Sequence, residues 1–169
     1  MSDADKPREL LDQLDAVTLH STTLEQLAHQ HTMATKNEVV ARLARQFTPP
    51  PTGRLLMRVL AVRTPENERD LRQLFLANLH SPDAAARAAS LRGLEALQYP
   101  HLIDMAITEL HDASDEVVTA SCDLLREPAK KDPQLARLLH EVWAAHSGQQ
   151  EFYLSNELLK AHGFAKPVP

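Results

Sequence analysis

Histidine is the residue of this chain best suited to chemistry, with nine copies, and spacing decides what they can do. His29-x-His31 is a poor ligand pair, because side chains two apart on a helix point about 200° away from each other. His80 and His111 are better matched. They stand 31 residues apart, each following a leucine, with Asp83 and Asp112 close by. An imidazolium at the C-terminal end of a helix meets free carbonyls, so helix capping accounts for both without a metal. Cys122 is the one cysteine, which rules out an internal disulfide and fits a reducing compartment. Its counterpart 31 positions earlier is Leu91, which marks it as a small buried apolar residue. A Gly-rich phosphate loop, H-E-x-x-H and C-x-x-C are all missing. The expectation is a protein that is not an enzyme, with no catalytic residue, metal or cofactor.

Charge offers a different chemistry. Residues 36–63 hold Lys36, Arg42, Arg45, Arg54, Arg58 and Arg63 against Glu38 alone. Residues 104–127 hold Asp104, Glu109, Asp112, Asp115, Glu116, Asp123 and Glu127 against Arg126 alone. Arg42 with Arg45, and Arg54 with Arg58, fall opposite the apolar stripes of their helices and would make one basic patch for phosphates or an acidic protein. The net charge of −5 argues against general nucleic-acid coating. Trp143, Phe152 and Tyr153 gather near the C-terminal end, where they either pack a terminal repeat or anchor a partner.

Helices must position these residues. Leu71, Leu79, His80, Ser81, Ala86, Ala89, Ser90 and Leu94 recur 31 positions later as Leu102, Leu110, His111, Asp112, Val117, Ala120, Ser121 and Leu125. Each copy reads as two short helices around a turn, the mark of a stacked repeat. Apolar stripes such as Val39, Val40, Leu43, Phe47 and Leu71, Leu74, Phe75, Leu79 have helical spacing. Pro7 suits a first turn, and Thr22-x-x-Glu25 and Thr35-x-x-Glu38 fit capping boxes. Thr64-Pro65-Glu66, Ser81-Pro82-Asp83 and Asp132-Pro133 each set a cap residue before a proline, and Gly163-Phe164 fits a left-handed helix stop. The signals place helices near 7–18, 22–32, 36–47, 53–62, 65–79, 82–97, 100–111, 114–126, 133–147 and 150–162, with a stiff corner at Thr48-Pro49-Pro50-Pro51-Thr52. Short connections pair them into about five antiparallel hairpins. No strand-like alternation, signal peptide or bilayer-length apolar run of ~20 residues occurs, so a single cytoplasmic domain over 1–169 is expected.

The stretch Ser81-Pro82-Asp83-Ala84-Ala85-Ala86-Arg87-Ala88-Ala89-Ser90, ending at Leu94, resembles the second helix of HEAT repeats. Asp112 to Ser121, ending at Leu125, follows the same pattern more loosely, with Val118 where Arg87 stood. The resemblance implies an all-α, right-handed α-solenoid, clearest over 65–97 and 100–126 and closed by a capping hairpin at 127–169. It also implies that Arg87 joins a ladder to the next repeat and that second helices line the inner face. HEAT-like deoxyhypusine hydroxylases hold iron with repeated His-Glu pairs, whereas this chain has one, His140-Glu141. HEAT-like alkylpurine DNA glycosylases hold DNA on a more basic surface.

The functional expectation is a protein-protein interaction module, an adaptor, scaffold or inhibitor, binding through Arg42, Arg45, Arg54, Arg58, Arg87, Arg92, Thr119, Asp123 and Trp143. The alternative is a nucleic-acid-binding protein that uses the basic band 36–63.

Overall fold

The computed structural model describes residues 28–29, 32–45, 51–146 and 156–164, and every regular element among them is helical. The helices are α1 (Met33–Arg45), α2 (Gly53–Val59), α3 (Glu68–Asn78), α4 (Ala84–Ala96), α5 (Leu102–Glu109), α6 (Asp115–Ala129) and α7 (Pro133–His146). A 3-10 turn, Leu60–Val62, extends α2, and residues 156–161 are also helical. The helix expected at 7–18, the capping box at Thr22 and most of the Thr48–Thr52 corner lie outside the described residues, as do His31, Phe47, Phe152 and Tyr153.

Helix starts keep the sequence period. α4 and α6 begin 31 residues apart, and so do α5 and α7. α2 begins 31 residues before α4, a third member of the series that residue identities alone did not show. The residue before each second helix is Thr52, Asp83 or Ser114, all of a type that favours the cap position, although Ser114 makes no side-chain cap bond and its N–H donates to Asp112 Oδ1 at 2.8 Å. Thr52 Oγ1 accepts from Leu55 N at 3.2 Å, and Asp83 Oδ1 accepts from Ala85 N at 3.2 Å. About two turns inside, Ser90 Oγ donates to Ala86 O at 2.7 Å and Ser121 Oγ donates to Val117 O at 3.0 Å. Both serines are fully buried, and the back-bond satisfies a hydroxyl that water cannot reach.

Several caps fall in a different register from the expected one. The cap of α1 is Thr32 rather than Thr35: Thr35 N donates to Thr32 Oγ1 at 3.4 Å. Ser81 does not cap α4 directly, since its Oγ accepts from Asp83 N and leaves the capping to Asp83. Ahead of α3, Thr64 and Asn67 bond reciprocally, Thr64 N to Asn67 Oδ1 at 2.9 Å and Asn67 N to Thr64 Oγ1 at 3.2 Å. That is a buried variant of the capping box with an amide in place of the carboxylate. Asp132 caps α7 as expected, accepting from Gln134 N at 2.9 Å. Gly163, at φ +74°, closes the 156–161 helix as expected, with Phe164 N donating to Leu159 O at 3.1 Å.

The chain divides into two compact units at the Tyr99–Pro100 bond. In the first, α1 packs against α3 and the 60–62 turn, α2 packs against α4, and α3 packs against α4. Val39, Val40, Leu56, Val59, Leu71, Phe75 and Leu94 are wholly buried there. α2 approaches α4 so closely that a Cβ on Gly53 would lie 2.4 Å from the Ala85 carbonyl oxygen. Gly93 makes similar room on α4, where a Cβ would sit 2.4 Å from the Phe75 ring. In the second unit α6 packs against both α5 and α7, over a core that includes Ala106, Val117, Leu125 and Leu139. The counterparts of Phe75 and Gly93 in this unit are Ala106 and Leu124, so the large and small partners have changed places.

Candidate functional site

Two carboxylates gather arginines in and beside the basic band. Glu38 takes two of the arginines, with Arg42 Nε at 3.0 Å and Arg45 Nη2 at 3.7 Å. Arg45 Nε also donates to the Ala41 carbonyl at 3.1 Å. Glu68 takes two more, Arg63 at 2.9 Å and Arg72 at 2.6 Å. These two guanidiniums also reach the end of α4, where Arg63 donates to Ala96 O at 3.0 Å and Arg72 to Leu97 O at 3.3 Å. Carbonyls there lack intrahelical partners, so cations are favoured. The Arg63 guanidinium bonded to Glu68 holds its carboxyl below the usual carboxylate range, and Arg72 adds to this. A shallow cleft along α3, lined by Glu68, Arg69, Arg72 and Gln73 among others, thus has part of its charge satisfied internally.

Arg45 and Arg63 stay exposed at their ion pairs, and α2 adds two more exposed arginines to the band. Gly53, Leu56, Val59 and Val62 are buried against the first unit, which turns Arg54, Met57, Arg58 and Ala61 outward. The spacing i, i+3, i+4, i+7 makes them one continuous stripe. Met57 is 40% exposed and stands between the two arginines. Sequence reasoning singled out Arg54 and Arg58 but missed Met57, although the same helical spacing that turned the arginines outward also exposes it.

The other expected contact residues have mixed fates. Arg92 is exposed on α4, in the same pair of packed helices as α2. Arg87 is half-buried and donates from Nη1 to the Ser81 carbonyl at 2.8 Å, tying it to the turn that precedes its own helix. Thr119 and Asp123 are exposed on α6 of the second unit, with Asp123 accepting from Arg126 Nη2 at 3.2 Å. Of the two roles expected for Trp143, the structure gives packing, and its place among the contact residues is corrected. It is 4% exposed, and the Arg126 guanidinium lies 5.9 Å from its ring centroid. An indole so enclosed fills space under α6 and leaves little area for a partner.

His80 and His111 are exposed in the turns after α3 and α5. Among the described residues, no three His, Cys, Asp or Glu side chains converge closely enough to hold a metal ion. Cys122 is buried, and burial pushes its thiol up to about 12. His162 Nε2 donates to the Ala129 carbonyl at 2.7 Å, which fastens the 156–164 segment to the end of α6. No helix among the described residues is long and apolar enough to cross a membrane. Comparison with protein-family models, curated proteins and solved structures finds no match.

Proposed function

We propose that this chain is a HEAT-like repeat protein that binds another protein, as an adaptor, scaffold or inhibitor, through the exposed faces of its second helices. In this role the hairpins form a right-handed solenoid of about five units. The observation that carries the proposal is the contrast between framework and surface in α2, α4 and α6. Their starts and capping positions repeat every 31 residues, and positions 59, 90 and 121 are buried in all three. An outward position changes from copy to copy: Ala61, Arg92 and Asp123. A repeated frame carrying a varied, charged surface serves recognition, where the side chains need only be displayed. Catalysis would need them to converge on one reacting atom.

The test is affinity capture from the native cell with the wild-type chain and an Arg54→Glu, Arg58→Glu variant, before and after nuclease treatment. We expect a protein partner that survives nuclease and is lost or weakened with the variant. A partner released by nuclease would instead establish the nucleic-acid alternative. The double reversal should change stability by no more than about 0.5 kcal/mol, since both side chains are exposed. Equal thermal melts of the two proteins check this.

A further inference from the structure

We infer that Glu68, Arg63 and Arg72 form a clasp that stiffens the joint between the two compact units, held closed by charge and loosened by salt. The inference is independent of what the exposed faces bind.

The joint is short. α4 ends at Ala96, α5 begins at Leu102, and the boundary between the units falls between them at Tyr99–Pro100. Gln98 stands in this stretch at φ +51°, the one residue other than glycine with a positive φ among the described residues. Side chains avoid that region, so a residue stays there only where its surroundings hold it. Two backbone bonds hold Gln98 from within the turn, Gln98 N to Glu95 O and Tyr99 N to Leu94 O. The cluster holds it from outside. Arg63 donates to the carbonyl of Ala96 and Arg72 to that of Leu97, the two residues that lead into Gln98. Glu68 joins the two guanidiniums, with Arg63 Nη2 on Oε2 at 2.9 Å and Arg72 Nη2 on Oε1 at 2.6 Å.

An exposed ion pair by itself adds little stability. Here one carboxylate sets two guanidiniums against carbonyls at a helix end, whose partial negative charge favours them. All three side chains are partly exposed, so dissolved ions screen the cluster.

The cluster is no part of the repeated frame. Thirty-one residues after Glu68 and Arg72 stand Tyr99 and Ile103, and 31 before them stand Asn37 and Ala41. At the end of α6, where the chain stays within the second unit, the Ala129 carbonyl takes an imidazole, that of His162, instead. A charged cluster added at the helix end where the chain passes from one unit to the other serves the joint. Simple capping of α4 is the competing account, and it would slow fraying of the last turn without restraining the second unit.

Two measurements on the full chain separate these accounts. Spin labels at Ala77→Cys on α3 and Thr119→Cys on α6, both exposed positions, report the spread of distances between the units, while buried Cys122 escapes the label. Hydrogen exchange at Gln98 and Tyr99 reports the last turn of α4. We expect a narrow spread at low salt. Glu68→Gln, or high salt with the unaltered cluster, should widen the spread and speed exchange at both amides about fivefold. An Arg63→Gln, Arg72→Gln variant should do the same with helical circular dichroism unchanged. If that variant does not fold, Glu68→Gln and the salt series decide. Glu38→Gln, which removes the ion pairs of Arg42 and Arg45 on α1, should change neither reading.

Faster exchange with an unchanged spread overturns the inference, since the cluster then caps α4 and no more. So does a spread as wide at low salt as at high salt, or one that stays narrow in Glu68→Gln. An equal response from Glu38→Gln also overturns it, because any lost carboxylate would then do.

Discussion

At Cys122 a thiol occupies the position that Leu91 holds one repeat earlier, and it behaves as that position requires. Burial pushes it up to about 12, so at pH 8 only on the order of one molecule in ten thousand carries the reactive thiolate. The native protein should therefore resist a chromogenic thiol reagent for as long as it stays folded. Addition of denaturant should release one equivalent at once. Rapid modification of the native chain would show that α6 opens readily. Glu68 is the opposite case, an accessible carboxylate held below its usual range by Arg63 and Arg72. A depressed folded-state value means the stabilisation is complete above the ordinary carboxylate range and is lost as pH falls through the folded value. Glu68→Gln should thus lower the melting temperature at neutral pH. The gap from wild type should close in acid, which parallel melts across a pH series would show.

At the scale of helices and turns, backbone geometry sets the next two expectations. α4 ends with Gln98 at φ +51°, Gln98 N bonded to Glu95 O at 2.9 Å and Tyr99 N to Leu94 O at 3.0 Å. This is the arrangement that Gly163 forms without strain at the end of the 156–161 helix. A side chain in the left-handed region crowds its own backbone, so Gln98→Gly should stabilise the protein by about 0.5–1 kcal/mol despite the freer unfolded chain. Denaturant titration measures it. The exchanged pair Phe75–Gly93 and Ala106–Leu124 makes a sharper test. Phe75→Ala alone should cost about 3–5 kcal/mol from the cavity it leaves. Gly93→Leu alone should cost about 1–3 kcal/mol or more from overpacking against the ring. Together they recreate the pair found in the second unit, and a double-mutant cycle should return a favourable coupling of about 0.5–3 kcal/mol. Simple additivity would mean that the two hairpins do not share a packing plan.

For the whole molecule, a repeat architecture predicts tolerance of whole repeats. In the proposed solenoid each hairpin would touch mainly its neighbours, so one period could be added without disturbing the others. A second copy of residues 84–114 inserted after Ser114 keeps every helix start in phase, because α4 and α6 begin one period apart. The longer chain should remain monomeric, melt cooperatively and gain helical circular dichroism in proportion to the added residues. Aggregation or loss of cooperative melting would count against stacked, exchangeable hairpins.

The amino-acid sequence by itself determined the helical class, the 31-residue period over 71–125 and the helix ends marked by Asp132 and Gly163. These depend on local causes: the 3.6-residue turn that lines up apolar side chains, and orphan amides that need an oxygen within three residues. The start of α2 was read at residue 53, but its membership of the series was harder to see, since Gly53, Ala84 and Asp115 share no chemistry. The tertiary structure alone decided which distant groups some of the arginines reach. Arg63 and Arg72 are drawn to the end of α4 at Ala96 and Leu97, and the first of these contacts bridges 33 positions of chain. It also took Trp143 inside and left Met57 outside. Burial of an amphipathic side chain depends on which neighbour covers its helix face, and that neighbour is set by packing rather than by any spacing along the chain.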